Sequence, residues 1–325
     1  MARLEPLDDL DRRIVVALQN DGRASWTEIA HTTQTSVATV TRRGQHLISN
    51  GLVRIAAVPS LGQWGPTEQL LIRVRCEAGL QARVARIIAE RPYVRFICLV
   101  TGAYDIVVEV IVPKGSDLVS VLTEELLSIR GVVSSDADLV LHTYKVGHDW
   151  SRQILGESAR TAKRSEQHEC APGDFDDTDD KILSILREDG RTSFPAVAQV
   201  LGVNESTVRR RYETLTSRGC LQMVTLVPAA LLGYETEVLL WLEVSPSRLD
   251  AVARELIAHR GVRFIAATLG QSSLMCEVIM PTTNDLFTFT TSTLAHLEGI
   301  QSWQASIEML TLKRGFVMCP WSQSA

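Results

Sequence analysis

The segment LDRRIVVALQNDGRASWTEIA at residues 10–30 returns as TDDKILSILREDGRTSFPAVA at residues 178–198. The two segments lie 168 residues apart, and the same offset relates Val94-Arg95-Phe96 to Val262-Arg263-Phe264 and Pro113 to Pro281. A repeat of constant period that extends through both halves of a chain indicates a duplicated structural unit. The sequence therefore predicts two copies of one unit in tandem.

A polar segment, SRQILGESARTAKRSEQHECAPGD from Ser151 to Asp174, separates the two copies. It is mixed in charge and poor in large apolar residues, which is typical of a linker. A flexible segment of this length has an end-to-end distance of roughly 25–30 Å. The two copies can therefore meet face to face.

The composition excludes several classes of protein. The chain has 325 residues, of which 45% are hydrophobic and 22% are charged, with a net charge of −5. Stretches of about 18 apolar residues are lacking, so we expect no membrane span. The N-terminal MARLEPLDDLDRR is acidic and is not expected to be a secretory signal. The net charge argues against a uniformly basic protein but allows a local basic patch.

The cysteine and histidine residues are scattered. Because no pair has metal-ligand spacing, we expect no metal site, no cofactor and reduced thiols, as in a cytoplasmic protein. His142 and His148 have no third ligand near them in the sequence. The cysteines that occur in apolar runs typical of strands are Cys76, Cys98 and Cys276, and the others are Cys170, Cys220 and Cys319.

The first part of each copy has the pattern of three short helices. In copy one, Asp8 is a good N-cap, and Asp21-Gly22-Arg23 is expected to break the first helix with glycine in a left-handed conformation. The sequence from Ser25 to Glu28 is a capping box that opens a second helix. Ser36 then caps a third helix that runs to about Asn50, and an extended wing follows it.

This order of helices is the helix-turn-helix pattern, whose last helix reads DNA. Isolated helices of this kind are often merely solvated, but two copies with the same preceding helix and turn favour DNA binding. Arginines can contact guanine or phosphate, and the first turn of the helix reaches base edges. The candidate DNA-binding residues are Ser36, Ala38, Thr39, Thr41, Arg42, Arg43 and Arg54 in copy one, and Asn204, Ser206, Thr207, Arg209, Arg210 and Arg211 in copy two.

The two predicted reading helices differ. Copy two has Gly202 in the turn, whereas copy one has Gln34, and copy one has Gly44 inside its third helix where copy two has Tyr212. A glycine inside a helix costs about 1 kcal/mol relative to alanine. The DNA-reading helix of copy one is therefore expected to be less stable than that of copy two. The base-facing candidates also differ, which predicts two unlike half-sites; they are Val37, Ala38 and Thr41 against Glu205, Ser206 and Arg209.

The second part of each copy predicts the order β-α-β-β-α-β. In copy one the strands are expected at residues 68–76, 93–100, 106–112 and 132–145, and the helices at 81–91 and 116–130. Copy two follows the same order from Glu235 to Lys313. This order is typical of a ferredoxin-like sandwich with helices on one face of the sheet. The other face must be buried by the other copy or by another chain.

Together these motifs resemble the Lrp/AsnC family of regulators, with two family units fused in tandem. The matching features are the Asp8, Asp11 and Ile14 pattern of the first helix, the Asp-Gly-Arg turn, the Thr-Val-x-Arg-Arg helix and the Gly-x-Tyr-Asp turn at 102–105. The resemblance implies an α+β fold in which two winged helix-turn-helix domains (1–60 and 175–228) alternate with two ferredoxin-like RAM domains (61–150 and 229–325), with a linker at 151–174. It also implies transcription regulation with double-stranded DNA and a small effector such as an amino acid as partners, homodimers or higher oligomers through the RAM domains, and a cytoplasmic, nucleoid-associated location.

The resemblance also implies an effector site near the Gly-x-Tyr-Asp turn. Carried over, the residues are Thr101, Gly102, Ala103, Tyr104 and Asp105. A phenol and a carboxylate beside glycine amides could bind an amino acid. Copy two has Gly270-Gln271-Ser272-Ser273 there and has lost both groups, so the site is expected in copy one only. The alternative is that Gly102 to Asp105 is merely a β-turn.

Two other functions remain as alternatives. Sirohaem decarboxylases resemble this fold and also occur as fused pairs, but His142 and His148 fall at or beyond the end of a strand. No Ser-His-Asp, Cys-His or P-loop pattern is present, so we expect no catalytic residues and no enzyme. The second alternative is a ligand-sensing protein that acts without binding DNA. A gel shift at stated salt separates these functions, since phosphate contacts make the affinity salt-dependent.

Overall fold

The computed structural model describes residues 6–60, 65–146, 170 and 173–322. Copy one contains α1 (Asp9–Asn20), α2 (Trp26–Thr33), α3 (Val37–Ser49), β1 (Arg54–Pro59), β2 (Thr67–Cys76), α4 (Gln81–Ala89), β3 (Val94–Val100), β4 (Ile106–Pro113), α5 (Ser120–Leu126) and β5 (Val132–Val146). Copy two contains α6 (Asp177–Glu188), α7 (Phe194–Leu201), α8 (Glu205–Ser217), β6 (Leu221–Leu226), β7 (Thr236–Val244), α9 (Leu249–Ala258), β8 (Val262–Leu269), β9 (Leu274–Met280), α10 (Thr283–Thr288), β10 (Ile300–Arg314) and the short β11 (Val317–Met318). The predicted order of elements is confirmed in both copies.

The described residues form two compact units, and each unit contains parts of both copies. We call the unit that contains α1–α3 and α6–α8 the helical unit; it comprises the described parts of residues 7–67 and 151–228. We call the other the sheet unit; it comprises the described parts of residues 68–150 and 229–325. Like parts of the two copies are therefore grouped together.

The helices of the helical unit begin at the caps that the sequence predicts. The carboxylate of Asp8 accepts a hydrogen bond from the amide of Asp11, and Ser25 and Glu28 form a complete capping box. Ser36 accepts a bond from the amide of Thr39 at the start of α3. Asn204 occupies the N-cap position of α8, but its side chain makes no capping hydrogen bond.

The turn between the second and third helices contains a left-handed residue in both copies. In copy two this residue is Gly202, with φ of 67°, and in copy one it is Gln34, with φ of 53°. A side chain disfavours this conformation because its Cβ approaches the following carbonyl oxygen. The prediction that copy one has the less favourable turn therefore gains a physical basis.

The sheet unit is a closed antiparallel sheet of eight strands. Its order is β10-β3-β4-β2-β5-β8-β9-β7, and β7 also pairs with β10, while β11 is added at the end of β10. Within each copy the order is thus second, third, first and fourth strand. The closure leaves no unpaired edge along this ring of strands.

Two long strands join the copies within the sheet unit. The first part of β5 pairs with β2 as far as Leu139, and from Leu139 to Val146 it pairs with β8 of copy two. In the same way, β10 pairs first with β7 and then, from Glu308, with β3 of copy one. The sheets of the two copies are therefore paired by backbone hydrogen bonds.

Three apolar clusters fill the sheet unit. Two of them lie mainly between the helices and the sheet of one copy, around Ile88 in copy one and Leu256 in copy two. The third lies on the sheet face turned away from the helices and combines side chains of both copies, among them Leu71, Phe96 and Trp241. Of the two partners expected for this face, the other copy and another chain, the structure has the other copy.

Some expectations differ from the structure. The helix predicted at residues 116–130 is shorter than expected. Its residues Ser120–Leu126 form a π-helix, and a turn follows at residue 127. Most of the linker, residues 151–169 and 171–172, lies outside the described residues. Among the described residues, no helix is long and apolar enough to cross a bilayer.

The expectation that all cysteines are reduced is wrong for one pair. Cys170 and Cys220 form a disulfide that encloses α6–α8, with their Cα atoms 5.0 Å apart. Sequence spacing could not predict it, because the two residues are separated by 50 positions and meet only in the folded helical unit. The other four cysteines are free, and burial raises the pKa of Cys76 to about 11 and that of Cys319 to about 12.

The left-handed residues give a first prediction. Replacement of Gln34 by Gly is expected to raise the free energy of unfolding by roughly 0.5–1 kcal/mol, because glycine adopts this conformation without strain. Urea denaturation followed by circular dichroism measures the change. The reverse substitution in copy two, Gly202→Gln, should lower the stability by a similar amount. A loss of stability in Gln34→Gly would contradict the assignment of strain to this turn.

A histidine in the sheet unit gives a prediction on pH. Burial, together with the charge of Lys145, lowers the pKa of His259 below its ordinary value of 6.5, and its Nδ1 accepts a hydrogen bond from the amide of Gly261. The folded protein thus binds this proton less readily than the unfolded chain, so stability falls as the pH drops through and below 6.5. In His259→Asn, which keeps an acceptor, the loss between neutral and mildly acidic pH should be smaller in urea denaturation. An equal loss would show that other groups cause it.

Candidate functional site

The two three-helix groups of the helical unit are joined by a pair of antiparallel strands. β1 of copy one pairs with β6 of copy two along their full lengths, from Arg54 opposite Leu226 to Pro59 opposite Leu221. Thr225 adds a side-chain bond from its hydroxyl to the carbonyl oxygen of Leu18 at 2.7 Å. The predicted wings are therefore the elements that pair the two copies here.

The two Asp-Gly-Arg turns make reciprocal contacts across this pair. The guanidinium of Arg23 donates to the carbonyl oxygens of Gly190 and Thr192, and that of Arg191 donates to those of Gly22 and Ala24. Each arginine thus satisfies the backbone of the other copy's turn. Bonds of a charged donor are stronger than neutral ones, so the repeated turn stabilises the pairing.

The expectation for the glycine of these turns is wrong. Gly22 does not have the left-handed conformation that was expected of it, and Gly190 of copy two does not have it either. Glycine is needed instead because the paired strands β1 and β6 approach both turns closely. A Cβ on Gly22 would lie 2.8 Å from the side chain of Ile55, and one on Gly190 would lie 2.9 Å from the backbone of Ile55. Here the strand pairing, and not the end of the helix, requires glycine.

Aromatic rings support both arginines, with different partners in the two copies. Arg191 lies 4.2 Å from the ring centroid of Trp26, and Arg23 lies 4.4 Å from that of Phe194. A Cβ on Gly44 would come within 2.4 Å of the Trp26 ring, whereas copy two has Tyr212 at the matching position. Copy one thus has an indole and a glycine where copy two has two smaller aromatic rings, so Gly44 makes room for the indole and does not simply weaken α3.

The third helix of each copy is fixed by one arginine. Arg43 forms ion pairs with Asp8 and Asp11 at the start of α1, and Arg211 forms the matching pairs with Asp176 and Asp179. The bond from the Asp11 amide and the bond from Arg43 lower the pKa of Asp8. These two arginines therefore connect helices, although the sequence made them candidates for DNA contact.

Two other arginines of these helices are exposed. Arg42 in α3 and Arg210 in α8 occupy matching positions, and within the described parts of the chain neither guanidinium has a hydrogen bond or ion pair. In α3 the buried residues are Val40, Gly44 and Leu47. With 3.6 residues per turn, Arg42 lies on the opposite side of the helix. These two cations are thus available to an external anion.

The remaining candidate residues are divided between local bonds and exposed positions. The hydroxyl of Ser36 bonds with that of Thr39, and Arg54 donates to the carbonyl oxygen of Arg187 and the carboxylate of Glu188. Arg209 donates to Glu205 at 2.7 Å. The others are exposed or half-buried, namely Ala38, Thr41, Asn204, Ser206 and Thr207.

Residues that sequence reasoning missed are the ones that join the copies or the helices. Arg23 and Arg191 stand in the repeated turn, where their recurrence could have indicated a shared role. The acceptors of Arg43 and Arg211 could not be found in this way, because each pair spans more than 30 residues of sequence.

The turn proposed for the effector connects β3 and β4 in the sheet unit. Its Tyr104 hydroxyl donates to Asp136 at 2.7 Å, and burial together with this bond raises the pKa of Tyr104. The carboxylate of Asp105 accepts a bond from the amide of Cys76 at 2.8 Å. Thr101 pairs with Ile307 of β10 through its amide and its hydroxyl. Both polar groups of the turn thus have protein partners.

Copy two replaces the backbone bond of Asp105 by another side chain. The hydroxyl of Ser273, which matches Asp105, accepts from the amide of Val244, which matches Cys76, at 2.6 Å. The same structural bond is therefore made without a charge. This bond alone does not require the carboxylate of copy one.

A small cavity of about 40 Å³ lies within the closed sheet. Its lining combines arginine and glutamate side chains of both copies, including the ion pair of Arg95 with Glu109. Burial alone would raise the pKa of Glu277, but Arg263 and Arg314 outweigh it and hold that pKa well below its ordinary value. The volume corresponds to a few water molecules.

Two groups of metal-ligand type occur among the described residues. In the first, Cys170, Asp174 and Cys220 lie together, but the two sulfurs are joined to each other. In the second, Glu237, Glu277 and Glu308 share the cations of Arg263 and Arg314. Their ligand atoms are engaged by protein groups, so we assign no metal to them.

Comparison with known proteins identifies the family. The AsnC-type helix-turn-helix domain matches residues 7–48 and 175–216, and the Lrp/AsnC ligand-binding domain matches residues 69–149 and 237–318. The chain therefore belongs to the Lrp/AsnC family, with two family units in tandem. It has the domains of a DNA-binding transcriptional regulator.

Relatives of this chain correspond to one of its copies. An uncharacterized HTH-type transcriptional regulator of Pyrococcus furiosus is 31% identical over 143 residues, which cover 97% of that protein and 44% of this chain. The HTH-type transcriptional regulator LrpA of Pyrococcus abyssi is 27% identical over 139 residues, with 99% and 42% covered.

One similar solved structure spans both copies. The sirohaem decarboxylase NirDL has a TM-score of 0.62 and 14% identity, with 97% of this chain and 98% of that chain covered. At this identity the likeness shows the fold alone. The fold of both copies together is therefore shared with a solved protein.

The free and engaged arginines give a prediction with a built-in control. Arg42→Ala or Arg210→Ala is expected to weaken binding to duplex DNA and to reduce the slope of log affinity against log salt by about 0.9 for each lost phosphate contact. The stability should not change. Arg43→Ala or Arg211→Ala should instead lower the free energy of unfolding by roughly 0.5–1 kcal/mol, since carboxylates lose their partner. Fluorescence anisotropy titrations and urea denaturation measure both effects. Equal effects of Arg42→Ala and Arg43→Ala on stability would contradict the division.

Proposed function

We propose that this chain is a sequence-specific transcriptional regulator in which one polypeptide supplies both DNA-reading helices. The observation that carries the proposal is the pairing of β1 with β6 and of the two Asp-Gly-Arg turns inside one helical unit. Two helix-turn-helix groups joined in this way correspond to the dimer that other helix-turn-helix proteins form from two chains. We propose no catalytic role for any residue.

We also propose that each copy consists of a winged helix-turn-helix domain and a ferredoxin-like domain. We describe the helical unit as two winged helix-turn-helix domains, because a strand follows the third helix of each copy. The order of strands within each copy supports a ferredoxin-like description of the two sheet domains, since the first strand lies between the third and the fourth. The boundaries 1–60, 61–150, 151–174, 175–228 and 229–325 remain proposals.

The contacts within the helical unit divide the candidate DNA-binding residues by role. We propose that Arg42 and Arg210 bind phosphate, while Arg43, Arg54 and Arg211 hold the helices in position. The residues proposed to face base edges are Ala38, Thr41, Ser206 and Arg209. Those at the start of the helices, namely Ser36, Thr39, Asn204 and Thr207, are proposed to contact phosphates, since helix N-termini favour anions.

The proposal is tested by selecting genomic DNA fragments with the full-length protein. Enrichment of fragments from upstream regions, with an affinity that falls steeply with salt, is the expected result. The double variant Arg42→Ala/Arg210→Ala serves as the matched control and should enrich little. If the two proteins enrich the same fragments equally, the assigned reading helices are wrong. The neighbouring genes would also indicate the effector.

We further propose that a small effector, such as an amino acid, binds near Thr101, Gly102, Ala103, Tyr104 and Asp105. Copy one has a phenol and a carboxylate at this turn, and copy two has neither. The bonds of Tyr104 and Asp105 to protein groups support the alternative of a purely structural turn. Tyr104 and Asp105 thus have a structural role and a proposed effector role, and mutation can separate the two roles.

Replacement of Asp105 by two residues separates its structural role from its proposed effector role. Asp105→Ser reproduces copy two, so it should keep the bond to the Cys76 amide and the stability of the fold, yet lose the charge. Asp105→Ala loses both and should lower the free energy of unfolding by about 1 kcal/mol. Calorimetric titration with an amino acid mixture and its members is expected to show binding to the wild type and a clear loss in both variants. Unchanged affinity in Asp105→Ser would overturn the effector role.

The likeness to NirDL makes sirohaem decarboxylation the second candidate. Of its two expected histidines, His142 lies on β5 with its ring 4.5 Å from that of Tyr144, and His148 lies outside the described residues. We favour regulation because each third helix carries an exposed arginine, Arg42 or Arg210. Addition of an iron tetrapyrrole to the purified protein tests this choice: a stoichiometric shifted absorption band would support the enzyme, and an unshifted spectrum supports the regulator.

We also propose that the chain assembles with further copies and acts at DNA in the cytoplasm, as family members do. Exposed apolar side chains on β10, namely Trp303, Ile307 and Met309, support a contact of the sheet unit. The two sheet domains of one chain already pair with each other, so assembly would join whole chains. The remaining alternative, a ligand sensor without DNA binding, requires Arg42 and Arg210 to have no external partner.

A further inference from the structure

The two reading helices share their buried residues and their anchoring arginines, but they differ in their first turns. The buried residues match: Val40 and Leu47 in α3 correspond to Val208 and Leu215 in α8. Arg43 and Arg211 anchor the helices to matching carboxylates. The two helices are therefore fixed to their three-helix groups in the same way, and their first turns occupy equivalent positions. The side chains that differ are Val37, Ala38 and Thr41 against Glu205, Ser206 and Arg209.

The first turn of α3 presents methyl groups and no charge. Val37 is 44% exposed, Ala38 is exposed and Thr41 is half-buried. Apolar contact with the C5 methyl group is how side chains of this kind recognise thymine in the major groove. The chemistry of this turn thus fits A·T pairs, and it offers the acceptors of guanine no charged donor and only the hydroxyl of Thr41.

The first turn of α8 presents a guanidinium and a carboxylate that are bonded to each other. Arg209 donates to Glu205 at 2.7 Å, and its guanidinium lies 5.0 Å from the ring centroid of Phe194. The ring and the carboxylate together hold the guanidinium at the start of the helix. Guanine offers two acceptors to arginine, and the paired cytosine offers an amino donor to glutamate. The chemistry of this turn thus fits a G·C pair.

The pairing of the two copies determines how these two turns are combined. β1 belongs to copy one and β6 to copy two, so each helical unit contains one reading helix of each kind. A homodimer of identical units would present two identical helices, and its best site would be a palindrome. This helical unit cannot do so, because its two helices differ in the residues that face the bases.

We propose that the chain reads a directional operator, in which α3 reads an A·T half-site through thymine methyl groups and α8 reads a half-site with an essential G·C pair. This inference rests on the proposed function and specifies its DNA partner. Arg209 and Glu205 are the residues that determine specificity on the copy-two side. Because the two half-sites differ, the bound protein has one orientation relative to the gene.

Selection from random duplex DNA with the full-length protein tests the inference. The wild type should enrich one asymmetric site with an A·T half and a G·C half. The triple variant Val37→Glu/Ala38→Ser/Thr41→Arg gives α3 the first turn of α8, so it should enrich a symmetric site with G·C in both halves. All three positions are at the surface or half-buried, and circular dichroism checks that the variant is folded.

A single substitution then assigns the G·C pair to one side chain. On the selected site, Arg209→Thr, which is the residue of copy one, should lose about five- to hundredfold in affinity. Replacement of the G·C pair by A·T should cost the wild type a similar factor, but it should cost Arg209→Thr little. Additive losses in this cycle would overturn the assignment.

The DNA that the wild type enriches separates the directional operator from the regulator function. Enrichment of a palindrome by the wild type would overturn the directional operator and leave the regulator function intact. An unchanged consensus in the triple variant would overturn the role of the first turns. If no DNA is enriched by the wild type, the proposed function fails and the inference fails with it.

Discussion

Backbone hydrogen bonds between strands of the two copies hold both units together. β1 pairs with β6 in the helical unit, and β5 with β8 and β10 with β3 in the sheet unit. A strand with an unpaired edge tends to pair with another strand. An apolar face of a sheet is stable only when other apolar residues bury it. The tandem chain provides both within one polypeptide, since the second copy is present at a high effective concentration. The position of each functional side chain follows from this pairing.

The copies have diverged while their contacts were kept. The Trp26 and Gly44 combination of copy one corresponds to Phe194 and Tyr212 in copy two, so the volume beside each arginine is filled in two ways. A serine makes the backbone bond in copy two that Asp105 makes in copy one. In both examples the structural contact is retained and the chemistry at the surface is free to differ. Two identical chains could not separate these roles, because every change would appear in both halves.

The sequence predicts those features of the fold that depend on neighbours along the chain. Capping residues such as Asp8 and Ser25 act within one turn of helix, and the period of apolar residues indicates each strand, so the order of elements was predictable. The partners of β5 and β10 were not, because hydrogen bonds between distant strands leave no local pattern. For the same reason Gly22 was expected to end a helix, although the close approach of β6 and β1 is what requires it.

The candidate site was predictable only in part for a related reason. The pattern of Arg42 and Arg43 identifies a basic helix, but one of these arginines meets the carboxylates of α1 and the other does not. Which one is free depends on the packing of two helices, and the repeat cannot show it because both copies have the same pair. The disulfide of Cys170 with Cys220 likewise depends on where the end of the linker lies in the folded chain.

Pairing of the two helix-turn-helix groups within one chain can be measured with cysteines introduced at Ala57 and Met223, which lie opposite each other on β1 and β6. Chains with natural and with heavy isotopes are unfolded together, refolded and oxidised, and the linked peptides are analysed by mass spectrometry. We predict linked peptides that are entirely light or entirely heavy. Linked peptides that combine one light and one heavy partner would show pairing between chains and contradict this account.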